Sequence, residues 1–156
     1  PIKYAFEWWR NGQSTGAPSK DRDQEQRTLA TDGFVRGDMI VVGVTPYDAG
    51  GPGRFLVSEP ILLLNRPPLI TSSPTAPTAQ GSFEYVVAAT DPDGDPLTYK
   101  LETAPSGMTI EAGTGRISWQ MASSLTSPQQ VRVGVDDGHQ GQAFQEFTLM
   151  PPPAAR

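Results

Sequence analysis

The chain contains no cysteine and a single histidine. A disulfide framework and thiolate metal sites are therefore excluded. A secreted protein without disulfides must draw its rigidity from a packed core or from a bound ion. No apolar run approaches the roughly 18 residues needed to span a bilayer, so membrane insertion by a helix is not expected. No long stretch carries apolar residues at helical spacing without a proline or glycine inside it. Positive charge is also scarce: twelve Lys and Arg against seventeen Asp and Glu give a net charge of −5, and nucleic acid is not an expected partner. Neither a start methionine nor a signal peptide precedes Pro1, so the polypeptide is expected to be a processed product or a piece of something longer.

What is present is punctuation. Sixteen prolines and sixteen glycines interrupt the 156 residues every few positions. Between them lie short alternating runs rich in Val, Ile, Thr, Tyr, Phe and Trp, the pattern of antiparallel β-sandwiches. The fold class is all-β. In the first part, Lys3 to Arg10 alternates with Tyr4, Phe6 and Trp8 on one face, and Asn11-Gly12 marks a hairpin turn. A loop over 14–26, a short strand at Arg27–Ala30, a buried strand at Met39–Val44 and a long strand from Phe55 to Leu64, interrupted near Pro60, follow. That is about four strands where a sandwich wants about seven. In the second part, Phe83–Ala89, Leu97–Glu102, Met108–Ile110, Arg116–Trp119, Gln130–Val135 and Ala143–Leu149 supply a complete set. The predicted organisation is a partial sandwich at 1–65, a full one at 66–150 and a Pro-rich tail at 151–156.

The densest chemistry lies in Asp91-Pro92-Asp93-Gly94-Asp95-Pro96. Proline fixes φ and glycine permits positive φ, so this turn cannot stay extended and its alternate carboxylates can converge. Carboxylates that close require a cation, and hard oxygen ligands suit calcium. The alternative is a solvated polar turn between two strands. Elsewhere little points to catalysis. His139 sits in a glycine-flanked loop without a nucleophile fixed beside it. Paired carboxylates for glycoside hydrolysis need a cleft, which short loops do not offer. Gly50-Gly51-Pro52-Gly53 lacks the lysine and the following helix of a phosphate loop. Trp8 and Trp9 could form a sugar-stacking platform, against which stands the reading of Trp8 as a core residue and Trp9 and Trp119 as packing.

Trp8-Trp9-Arg10-Asn11-Gly12, Leu29, Gly37-Asp38, Val44-Thr45-Pro46-Tyr47-Asp48, Ser58 and Asn65-Arg66-Pro67 resemble the immunoglobulin-like repeats of large bacterial surface proteins. In such repeats an Asp-Gly-Asp-Pro turn precedes the tryptophan strand, and Pro1-Ile2-Lys3-Tyr4 is similar to its end, as it is to Pro96-Leu97-Thr98-Tyr99. The resemblance implies that the first two strands of the first sandwich are missing, exposing an edge and the Tyr4, Phe6 and Trp8 face. Another protein chain or an upstream fragment is then expected to supply them by β-augmentation, and scission at a labile Asp-Pro bond is one origin for Pro1.

The second part resembles the cadherin-like and dystroglycan-type immunoglobulin modules of bacterial surface proteins. The carrying residues are Asp91 to Tyr99, Pro105-Ser106-Gly107-Met108-Thr109-Ile110, Thr114-Gly115-Arg116-Ile117-Ser118-Trp119 and Val133-Gly134-Val135-Asp136-Asp137-Gly138. The resemblance implies a calcium site at the joint, held by Asn65, Asp91, Asp93 and Asp136, with Asp95 and Asp137 as spare carboxylates. Arg66 is a departure from the linker pattern that brings an opposing charge. Asp32 or Asp38 would be ligands from the first unit, although Asp38 also reads as a turn cap. The function implied is a non-enzymatic structural or adhesive module, secreted or on a bacterial cell surface. The alternatives are a carbohydrate-binding accessory module of a secreted enzyme, with glycans as ligands, and a self-processing segment.

Overall fold

The computed structural model describes residues 1–16, 28–78, 81–122 and 125–151. Among these the chain is all-β, with no helix. It separates into two compact units, Pro1–Leu64 and Asn65–Arg156.

Among its described residues the first unit is one sheet. Strand β1 (Lys3–Arg10) turns through Asn11 and Gly12, both at positive φ (52° and 79°), into β2 (Gln13–Ser14). Such a pair of left-handed residues is what a two-residue hairpin turn needs. On its other side β1 pairs antiparallel along its full length with β3 (Met39–Asp48), which puts Trp8 opposite Val42 and Phe6 opposite Val44. The opposite edge of β3 is covered in three pieces, β4 (Gly51–Pro52), β5 (Leu56–Val57) and β6 (Ile61–Leu62). Between β5 and β6 the hydroxyl of Ser58 accepts the Val42 N–H at 3.1 Å, and the ladder is interrupted over 58–60, at Pro60. Of the strand expected at Arg27–Ala30, Thr28 to Ala30 form no ladder. Arg27, and residues 17–26 of the expected loop, lie outside the described residues, as do 152–156 of the tail.

Among the described residues of this unit, Phe34 and Ile40 are the buried hydrophobic ones, with the Arg10 guanidinium 4.6 Å above the Phe34 ring. Phe6 and Trp8 are half-buried, whereas Tyr4, Leu56 and Ile61 are exposed. The fixed point is Asp38, which caps the turn before β3. It accepts the Val35 N–H at 2.9 Å, the Asn11 amide at 2.7 Å and the Arg10 guanidinium at 2.7 Å. The Val35 N–H foremost, then Arg10, hold its pKa down to about 2. A carboxylate whose folded pKa lies below the unfolded value of about 3.9 stabilises the fold above that value, and the contribution fades as pH falls toward 2. The Asp38 carboxyl carbon should therefore titrate by NMR with a midpoint of about 2; a midpoint near that of a free aspartate would contradict this capping geometry.

Among its described residues the second unit is a sandwich of eight strands: β7 (Leu69–Ile70), β8 (Ser82–Val86), β9 (Ala89–Thr90), β10 (Thr98–Thr103), β11 (Thr109–Ile110), β12 (Arg116–Gln120), β13 (Gln129–Asp136) and β14 (Gln142–Leu149). One sheet runs β11-β12-β8 and another β10-β13-β14, with β7 and β9 paired to each other. The run expected as a single strand from Phe83 to Ala89 divides at Val87, where the chain leaves β12 and joins β7; the Val87 N–H is held there by the Gly115 carbonyl at 3.0 Å. Period-two alternation puts Phe83, Tyr85 and Val87 inward from one layer, and Val131, Val133 and Val135 inward from the other. Together with Ile117, Trp119, Tyr99 and Leu149 they form one core, in which Ile117 and Val133 have no exposed surface. Each such side chain contributes about 1.5–3 kcal/mol by leaving water. Tyr85 keeps its hydroxyl satisfied through Ser72 at 2.6 Å and Gln145 at 2.9 Å, so its burial leaves no orphaned donor.

Candidate metal centre

Three loops of the second unit meet at one pole of its sandwich: the entry segment Asn65-Arg66, the acidic turn 91–95 and the β13–β14 loop. The acidic turn folds around Asp91. Its Oδ1 accepts the N–H of Asp93 at 2.8 Å and of Asp95 at 3.2 Å, while Gly94 N–H closes on the Asp91 carbonyl at 3.2 Å. This wrapping brings one carboxylate oxygen each from Asp91, Asp93 and Asp95 within 4.8 Å of one another.

Asn65 ties the entry segment to the β13–β14 loop. Its side-chain amide donates to Asp137 Oδ2 at 2.7 Å and to the His139 carbonyl at 3.1 Å. Asp137 is 1% exposed. Burial by itself would raise its pKa, but the Asn65 amide and the N–H groups of His139 and Gly141 outweigh it, and the pKa falls below the usual carboxylate value. Those two N–H groups reach Asp137 Oδ1 at 2.6 and 2.9 Å. Gly141 is required by close approach, since a Cβ there would collide with Asp137 Oδ2 and stand 2.8 Å from the Asn65 amide nitrogen.

Arg66 joins the other two sides. Its backbone N–H donates to Asp93 Oδ2 at 2.8 Å, and its guanidinium donates to Asp93 Oδ1 from Nε at 3.1 Å and from Nη2 at 2.8 Å. The same guanidinium reaches the Pro92 carbonyl at 2.7 Å. The Asp93 side chain is 1% exposed. His139 Nε2 stands 3.5 Å from Asp95 Oδ1.

Of the residues expected as ligands, Asn65, Asp91 and Asp93 are thus assembled by these three loops, and Asp95, expected as a spare, gathers with Asp91 and Asp93. Asp136, the last residue of β13, has both oxygens engaged, Oδ1 by the Gly138 N–H at 2.8 Å and Oδ2 by the Gln142 amide at 2.6 Å. The Gln142 contact, then the Gly138 one, lowers its pKa. Asp137, also expected as a spare, is the carboxylate bound to Asn65. The sequence held a signal for it: Val131, Val133 and Val135 point inward, and Asp137 continues that odd-numbered series.

Two oxygens at this pole, Asn65 Oδ1 and Asp91 Oδ2, are buried without a hydrogen-bond partner among the described residues. Buried oxygens of that kind are rare unless a water or ion meets them. The donor set of carboxylates and an amide oxygen is hard and oxygen-only, which fits calcium in place of a transition metal. Asn65, Asp91, Asp93 and Asp95 are the residues that would hold it.

The tryptophans are engaged elsewhere. Trp9 packs edge-on against Phe55, ring centroids 6.2 Å apart, and both rings lie over Gly43, where a Cβ would meet Trp9 at 2.8 Å and would collide with Phe55. Trp119 is 7% exposed and donates its indole N–H to the Ser106 carbonyl at 3.1 Å.

No curated protein matches the chain. Among solved structures it is similar to the protocadherin GammaB4 extracellular domain (TM-score 0.47, 18% identity, 81% of this chain and 24% of that one). It is also similar to the human desmocollin-1 ectodomain (TM-score 0.43, 17% identity, 94% and 32%). An endo-fucoidan hydrolase of glycoside hydrolase family 107 is a third such structure (TM-score 0.44, 15% identity, 72% and 22%). The chain spans about a third or less of each of these proteins. The sequence pattern of the family described as "Putative Ig domain" matches residues 67–151, over half of the chain. With its β-sandwich built on that same stretch, the chain belongs to this family of immunoglobulin-type domains.

Proposed function

We propose that the chain is a non-enzymatic extracellular structural or adhesive segment, and that calcium stiffens the entry pole of its second unit. The observation that carries this reading is the pair of buried, unpartnered oxygens, Asn65 Oδ1 and Asp91 Oδ2, beside carboxylates gathered within 4.8 Å. A divalent ion would satisfy both oxygens, neutralise the turn and tie the incoming chain to it. The partner class is other protein chains. The exposed Tyr4, Leu56 and Ile61 of the first unit suit the addition of strands from another polypeptide.

Thermal unfolding in calcium and in chelator tests the reading. An extracellular module of this type binds with a Kd of about 1 mM. About 10 mM calcium then adds roughly 1.4 kcal/mol, or about 5–10 °C in the Tm of a domain this size. Asp91→Asn should abolish the shift. A wild-type Tm that is the same in calcium and in chelator would remove the calcium reading.

A further inference from the structure

We infer that Arg66 is a built-in counter-ion for the acidic turn, competing with the divalent ion for Asp93 and setting the affinity of the site. This rests on the calcium reading above and deepens it.

The Asp93 side chain is 1% exposed, and a buried carboxylate must be paired or protonated. Arg66 supplies that pairing to both oxygens, the backbone N–H to Oδ2 and the guanidinium fork to Oδ1. Nη2 also donates to the Pro92 carbonyl, so the guanidinium is fixed against the turn itself. The planar fork of arginine matches a carboxylate in a way lysine does not. The Arg66 side chain is 45% exposed, so the guanidinium borders solvent and can turn outward while the backbone N–H stays on Oδ2. In the metal-free protein the arginine therefore holds the turn in its folded shape. An incoming divalent ion must displace that positive charge from Asp93 before the carboxylate can serve as a ligand. The consequence is a site preorganised without metal and weakened toward it.

Calcium titration calorimetry of wild type and Arg66→Gln, with melting in chelator, tests this. The variant should bind calcium about tenfold more tightly, the effect of removing one unit charge roughly 6 Å from a divalent ion in a water-like medium. It should also melt lower than wild type in chelator, having lost the fork. In wild type, the Arg66 Nε–H resonance should be dispersed in chelator and move to the position of a solvated arginine at saturating calcium. That measurement decides the matter if the variant does not fold. Calcium binding by wild type with an unmoved Nε–H resonance, or with no gain in Arg66→Gln, would overturn the role of Arg66 and leave the calcium reading standing. No binding by either protein would end both.

Discussion

Gly141→Ala is expected to destabilise the second unit by about 3 kcal/mol, at the upper end of overpacking costs. The new methyl would collide with Asp137 Oδ2, stand 2.8 Å from Asp137 Cγ and 2.8 Å from the Asn65 amide nitrogen. Neither neighbour can yield cheaply. Asp137 is 1% exposed and is held through Oδ1 by two backbone N–H groups and through Oδ2 by Asn65. Displacing it strips donors from a buried carboxylate, which costs more than the hydrogen bonds lost. At about 4–8 °C per kcal/mol for a domain of this size, Tm should fall by roughly 15 °C. Gly113→Ala is the control, because a Cβ there meets nothing within 4 Å and an unhindered surface change stays within about 0.5 kcal/mol. Circular dichroism melts of the two variants would contradict the packing described at Gly141 if they coincided.

Phe83→Ala should be costlier still, about 3–5 kcal/mol. Phe83 is 1% exposed, its ring 6.3 Å from Tyr85 and 6.0 Å from Phe147, and it faces Trp119 across the ladder. Domains of this kind have about 5–15 kcal/mol in total, so the variant would be left marginally stable. Phe144→Ala, on the outer face of β14, should cost under about 1 kcal/mol: that ring is 44% exposed and its partner is the Arg132 guanidinium at 4.4 Å. Urea unfolding would measure both. Similar midpoints for the two variants would mean that the inward and outward faces of the sandwich had been assigned wrongly.

Those two phenylalanines show why the second unit was largely legible from its residues. Alternation at Phe83, Tyr85 and Val87, and at Ile117 and Trp119, is a property of a single strand, and burial follows it directly. Asn11-Gly12 was legible for a similar reason: a two-residue turn with positive φ is decided locally. Elements fixed from a distance were not. The two-residue strand β7 is a strand only because β9 lies beside it. At the candidate metal centre, Pro and Gly in the acidic turn announced that Asp91, Asp93 and Asp95 could converge. Asp136, expected as a ligand, and Asp137, expected as a spare, differ by a single step of phase at the end of β13, and Asp137 is the one that meets Asn65. The hold of Arg66 on Asp93 joins residues 27 apart in sequence, and no local pattern encodes it.

The bonds from Asn65 to the β13–β14 loop span 72 and 74 residues, so the chain's first step into the second unit is stitched to its last hairpin. Tension arriving along the polypeptide at Asn65 is consequently divided between that hairpin and, through Arg66, the turn at Asp93. The two-residue ladder of β7 and β9, which would otherwise peel open pair by pair, sits behind this clasp and bears load only after it has torn.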